Sequence, residues 1–174
     1  YVTSADLRMQ ELLRISLSEI DKDAAFVSEE EDRPSVLPGK NYFLVDPIDG
    51  TTNFIHDMGL SCLAAAYCKD NDVLAAAVYN PYTDELFTAE KNKGAYLNGR
   101  RITVSERRLT NALVALGAGG GNRQDSIKHI LPIYEYCCMN SRGVRGIGSA
   151  ELAICYIAAA RIDAYTEFLL MPWD

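Results

Sequence analysis

No apolar run in the chain approaches the roughly 18 residues a membrane-spanning helix requires, and the N-terminal stretch lacks the basic-then-apolar-then-small order of an export signal. A soluble protein with no membrane partner is expected. There are five cysteines, an odd count, with Cys137 beside Cys138 and no C-x-x-C pair. That excludes a disulfide framework and a zinc knuckle, and suits a reducing cytoplasm. The two histidines, His56 and His129, stand without a nucleophile partner, so Ser-His-Asp and Cys-His chemistry have no basis here. Basic residues are in deficit, 17 Lys plus Arg against 24 Asp plus Glu, for a net charge of −7. Affinity for nucleic acid comes from a basic surface neutralising phosphates, so nucleic acid is not an expected partner. A phosphate ester stays open as a ligand if a metal cation supplies the missing positive charge.

What is present suits an ordinary folded domain: 174 residues, 48% hydrophobic and 24% charged. A chain of this size buries about 70% of its unfolded surface without staples. Ser4 to Ile20 reads as an amphipathic helix, with Leu7, Leu12, Leu13, Ile15, Leu17 and Ile20 mostly on one face and Ser4 as N-cap. Ala25 to Val27 and Tyr42 to Val45 read as strands around the acidic loop Glu29 to Lys40. Leu60 to Cys68, Val73 to Tyr79, Glu85 to Ala89 and Ala95 to Leu97 read as an antiparallel meander, with turn signals at 69–72, 80–84 and Asn98-Gly99. After Thr110 the pattern alternates: a strand at Ala112 to Leu116, a Gly-rich loop at Gly117 to Asn122, helices at Gln124 to Met139 and Ser149 to Ala160, and a strand at Asp163 to Thr166. Two parts are expected, 1–110 and 111–174. The Gly-rich loop lacks the spacing and lysine of a P-loop and reads as a loop beside the substrate cleft. The stripe Leu152, Ile154, Cys155, Ile157 and Ala158 reads as helix core.

The chemistry gathers in Leu44-Val45-Asp46-Pro47-Ile48-Asp49-Gly50-Thr51-Thr52-Asn53. An apolar strand runs into Asp46. Pro47 lacks the amide that would continue the ladder, and the bend aims Asp46 and Asp49 at one volume. Gly50 then allows close backbone approach, and the amides that follow it can face an anion. Hard oxygen ligands beside an anion cradle suit Mg²⁺ with a phosphate ester. Asp-Pro and Asp-Gly are also ordinary turn formers, so the full string carries more weight than its parts.

Asp46-Pro47-Ile48-Asp49-Gly50-Thr51-Thr52-Asn53 resembles the signature of the inositol monophosphatase family, metal-dependent and lithium-sensitive phosphomonoesterases. Phe26-Val27-Ser28-Glu29-Glu30 resembles that family's strand ending in Gly-Glu-Glu, with Ser28 in place of Gly. Gly94-Ala95-Tyr96-Leu97-Asn98-Gly99 resembles its hairpin, Arg145-Gly146-Ile147-Gly148-Ser149-Ala150 its helix start, and Ala164-Tyr165-Thr166-Glu167 with Pro172-Trp173-Asp174 its closing acidic pair.

The resemblance implies an α+β fold, a layered α-β-α-β sandwich. Because family members extend further at each end, the chain is expected to be incomplete at both. It implies metal ligation of two or three Mg²⁺ ions by Glu29, Asp46, the Ile48 carbonyl, Asp49 and Asp174. It gives Asp6, Glu29 and Thr51 catalytic roles, with Thr51 bonded to Asp6 to orient the attacking water. Gly50 and Thr51 would hold the phosphate, and Asp49, Ala150, Glu167 and Asp174 would meet the substrate. Of the acidic run after Ser28 it lifts Glu29 alone; Glu31 and Asp32 keep the reading of a solvated loop. A homodimer is implied as well.

The function implied is Mg²⁺-dependent hydrolysis of a small phosphorylated polyol, first of all myo-inositol monophosphate to inositol and phosphate. Fructose 1,6-bisphosphate, histidinol phosphate and 3′-phosphoadenosine 5′-phosphate are the family's other substrates. A same-fold protein acting mainly by binding a protein partner is the alternative from another class.

Overall fold

The structure is a computed structural model and describes residues 2–31, 40–70, 72–117 and 123–174. Asp32 and the Gly-rich residues 118–122, about which the sequence raised expectations, lie outside the described residues.

The chain opens with α1 (Ser4–Ser18). Its N-cap is Thr3 rather than the expected Ser4, and the reason is the residue three positions on. Thr3 Oγ1 takes the N–H groups of Ala5 and Asp6, and the Asp6 carboxylate reaches back to the Thr3 N–H at 2.8 Å, a reciprocal box. Ser4 is followed at that spacing by Leu7, which has nothing to return.

Two sheets follow. The first has seven strands in chain order: β1 (Ala25–Ser28), β2 (Asn41–Asp49), β3 (Cys62–Lys69), β4 (Asp72–Asn80), β5 (Glu85–Glu90), β6 (Gly94–Leu97) and β7 (Arg100–Ile102). β1 runs parallel to β2, and every later pair is antiparallel, as the meander pattern predicts. The Asn98-Gly99 turn has both residues at positive φ, the condition for a tight hairpin that Asn and Gly satisfy. The second sheet is parallel, ordered β10 (Ala164–Thr166), β8 (Leu113–Leu116), β9 (Gly143–Arg145). β7 and β9, at three residues each, are too short to leave an alternation in the sequence.

Registers assign the faces. Phe43, Tyr67 and Ala75 share the face under α1, while Leu44, Ala66, Ala76 and Ala89 share the opposite one. The alanines of β3 and β4 keep both faces low, so helices can approach closely. α4 (Ala150–Ala158) lies between the sheets, touching β3, β4 and β10. α3 (Arg123–Asn140) covers the far side of the parallel sheet, where Val114 and Leu116 meet Ile130 and Cys137; Ala115 points the other way, to Ala153 and Ile162. The layered α-β-α-β order is present, with α3 as a further outer layer.

Two expectations about helix faces need correction. Leu7, Leu12, Ile15 and Ile20 of the first helical segment are exposed, and its one fully buried side chain is Asp6. Polar anchors set the helix rotation: Asp6 faces Thr51, just after β2, and Arg14 stacks 4.2 Å over the Phe26 ring while pairing with Glu31. In α4, Leu152 and Cys155 are core, but Ile154 is 47% exposed along a cavity wall.

Candidate metal centre

β2 carries the site because of how it ends. Pro47 breaks the ladder with β3, whose register shifts between Asp46 and Asp49. Asp46 Oδ1 then accepts the Ile48 N–H at 3.0 Å, a local turn that sets both carboxylates to one side. Single ligand oxygens of Asp46, Asp49 and Asp174 all lie within 4.8 Å of one another. Glu29, which follows β1, has its N–H fixed on the Val45 carbonyl at 3.2 Å and its charge acts on Asp46, but its carboxylate lies outside that 4.8 Å group. Asp46, 2% exposed, has its pKa pushed up to about 9, by burial first and then by the charges of Glu29, Asp49 and Asp174. Burial, with Glu30 and Asp174 beside it, raises Glu29 as well.

Asp49 is 8% exposed and sits on the N-terminus of α4. It takes the Ser149 hydroxyl, the Ala150 N–H at 3.3 Å and the Glu151 N–H at 2.8 Å. Burial raises its pKa despite these three donors, each of which favours the anion. A set of hard oxygens, buried and short of positive charge, is the donor chemistry a divalent cation requires. The residues present therefore fit the metal that the resemblance implies.

Around the carboxylates the backbone is locked. Gly50 has φ +84°, and a Cβ there would stand 2.8 Å from the Leu60 carbonyl oxygen and 3.1 Å from that of Gly148. It precedes α2 (Thr51–Ile55), from which Asn53 Nδ2 donates to the Leu60 and Ile147 carbonyls at 2.7 and 2.8 Å. Asn53 thereby ties α2 to the loop before α4. Thr51 Oγ1 stands 3.0 Å from the Ile48 carbonyl and 3.4 Å from Asp6 Oδ1, and one proton serves the two acceptors in turn.

Of the remaining sequence-predicted residues, Ala150 is buried with its N–H given to Asp49. Glu167 follows β10 and accepts the Tyr165 hydroxyl; Gly117 lies against its carboxylate, where a Cβ would collide. The charges of Asp49 and Asp174 reach Tyr165, which places this strand end beside the site. Asp174 Oδ2 also takes the Met171 N–H at 2.5 Å. His56 is exposed, and His129 packs on Phe168 with ring centroids 5.3 Å apart, so neither belongs to the site. Sequence reasoning missed Cys62 and Glu151, whose ligand atoms lie with one from Asp49 inside a second 4.8 Å group. No short-range pattern links positions 49, 62 and 151.

A layered α+β protein with carboxylates gathered for metal binding at a broken strand end is the class that fold and site define. A sequence model of the inositol monophosphatase family matches residues 1–174, and the chain belongs to that family. Inositol-1-monophosphatase of Rhizobium meliloti (strain 1021) is 34% identical over 175 residues, which take in 100% of this chain and 65% of that protein. Inositol monophosphatase 1 of Bos taurus is 31% identical over 178 residues, 99% of this chain and 64% of its own length. The chain thus spans a little under two thirds of these relatives. Among solved structures, extragenic suppressor protein suhB from Bartonella henselae superposes with a TM-score of 0.91 at 33% identity, covering 100% of this chain and 68% of that one. Inositol monophosphatase from Anabaena (Nostoc) sp. PCC 7120 gives 0.91 at 27% identity over 99% of this chain and 69% of that one. Among the described residues no helix is long and apolar enough to cross a membrane.

Proposed function

We propose that the protein hydrolyses a small phosphate monoester with Mg²⁺, and that its substrate is myo-inositol monophosphate. The observation that carries this reading is the approach of Asp46, Asp49 and Asp174 to within 4.8 Å of one another, with the charge of Glu29 acting on Asp46. Family membership supplies the reaction class. Glu29, Asp46, the Ile48 carbonyl, Asp49 and Asp174 would hold the metal. Divalent ions there supply the positive charge that the phosphate ester and departing alkoxide require, and they acidify water for attack.

The chain's own residues do the rest. When Thr51 donates to Asp6, its oxygen lone pairs are left to accept from a water, and Asp6 is kept rigid for this by Thr3. The backbone amides of Gly50 and Thr51 hold the phosphate in line with that water. Attack forms a new P–O bond as the ester P–O bond breaks, and the leaving alcohol takes up a proton. Asp49, Ala150 and Glu167 face the hydroxyls of the leaving group.

A pure binding role gives no physical reason to keep buried carboxylates in repulsion, so the enzyme reading is preferred. Phosphate release from inositol 1-phosphate, fructose 1,6-bisphosphate, histidinol phosphate and 3′-phosphoadenosine 5′-phosphate, each with Mg²⁺ and with chelator, tests it. Mg²⁺-dependent turnover highest on inositol 1-phosphate is expected. No turnover on any of the four would favour the protein-binding alternative.

A further inference from the structure

Glu151 opens α4 and is 6% exposed, yet the resemblance gives it no role. Among the described residues, one hydrogen bond reaches its carboxylate, from Cys62 Sγ to Oε2 at 3.5 Å, and no lysine or arginine pairs with it. A thiol is a weak donor, so apart from the positive end of α4 little among the described residues offsets the charge of this buried carboxylate. Its backbone N–H is already on Asp49, and one of its oxygens stands within 4.8 Å of a ligand oxygen of Asp49.

On its other side Glu151 lines a cavity of about 380 Å³ between the seven-stranded sheet, α4 and the 172–174 segment. The wall is made of Leu44, alanines, Val78, Ile154 and Trp173, and its one other charged residue is Asp174. Glu151 and Asp174 therefore flank Asp49 and face the same space, and Asp174 is grouped with Asp46 and Asp49. A divalent cation there would supply the positive charge that no lysine or arginine among the described residues brings to this carboxylate.

We propose that Glu151 is a further carboxylate of the divalent-cation centre, raising the affinity for the ion bound by Asp49 from the cavity side. This rests on the reading that Asp46, Asp49 and Asp174 hold divalent ions. Cys62 serves as donor to Glu151 and not as a ligand, since hard ions of this kind prefer oxygen to sulfur.

The test is equilibrium binding of Mn²⁺, followed by its paramagnetic resonance signal, to wild type, Glu151→Gln and Cys62→Ser. Thermal melts of each variant in chelator accompany it. Wild type is expected to bind, Glu151→Gln to bind at least tenfold more weakly, and Cys62→Ser to stay within twofold of wild type. In chelator Glu151→Gln is expected to melt at or above wild type, because it removes a buried acid without changing shape. Equal Mn²⁺ affinity in wild type and Glu151→Gln overturns the role of Glu151 and leaves the metal reading standing. No Mn²⁺ binding by wild type overturns both. A Glu151→Gln variant that melts well below wild type in chelator marks a merely structural residue and overturns the proposal. Loss of binding in Cys62→Ser marks a thiolate site and does the same.

Discussion

The carboxylate of Asp49 accepts the backbone N–H of Glu151, 102 residues further along the chain, at 2.8 Å. One side chain is thus both the end of the strand that carries the proposed metal ligands and the cap on the helix between the sheets. The positive end of α4 favours the anion, which partly offsets the cost of burying it. The two roles separate by substitution. Asp49→Asn keeps an oxygen for the helix amides and should fold with a normal circular dichroism spectrum while losing at least about 100-fold in phosphate release. Asp49→Ala should lose the activity and also be less stable than Asp49→Asn by about 1 kcal/mol in urea unfolding, the usual worth of an N-terminal cap.

The contact between Thr51 and Asp6 joins α1 to the proposed reaction. Removing the hydroxyl in Thr51→Ala should lower kcat by about 100-fold or more, within the range for a positioned proton-transfer group. Mn²⁺ affinity should stay near that of wild type, because the hydroxyl is not among the proposed ligands. Parallel kinetics and metal titration check this; equal losses in both would place Thr51 in the metal shell instead.

Without a cation, acidity should stabilise the protein. The ordinary carboxylate pKa is 3.8, and in the fold Asp46 is pushed up to about 9. The folded state therefore holds a proton that the unfolded chain has released. The stability this contributes is full below about pH 4 and is lost as pH rises toward 9. Glu29, Asp49 and Glu151 shift the same way. Calorimetry in chelator should show a melting temperature that falls from pH 5 to 8.5, with a limit of about 1.4 kcal/mol per pH unit for each extra proton held. Saturating Mg²⁺ should flatten or reverse the slope, since the ion takes the place of those protons. A melt in chelator that rises with pH would contradict the assignment.

Gly50 should not accept a side chain. Its positive φ already costs any other residue, and the Cβ of Gly50→Ala would meet two carbonyl oxygens that belong to fixed loops. A loss of about 2 kcal/mol or more in urea unfolding is expected. Gly99→Ala, with open space around the Cβ, should cost less; equal losses would mean that the φ angle alone decides.

Much of this site was legible in the sequence because it is contiguous. Asp46 to Asn53 contains the end of the strand, its proline break, the two carboxylates and the glycine, so local chain geometry does most of the positioning. The meander was legible for the same reason, through its turn residues. What escaped depends on contacts between distant segments. Cys62 enters the site only because Asp49 and Cys62 are paired across β2 and β3, and Glu151 only because α4 docks its first turn on Asp49. The buried side of α1 escaped too: counting apolar residues favoured Leu7, Leu12 and Ile15, whereas Asp6 and Arg14 fix the rotation through partners that a helical wheel does not contain.

Glu29, Asp46, Asp49 and Asp174 are proposed to share divalent cations. Crystals soaked in Mn²⁺, with diffraction recorded near the manganese absorption edge, test it directly. Anomalous density is expected within bonding distance of oxygens from Asp46, Asp49 and Asp174, with Glu29 on the same cluster. Saturating Mn²⁺ with no peak among those oxygens, or with peaks held only by other residues, would contradict it.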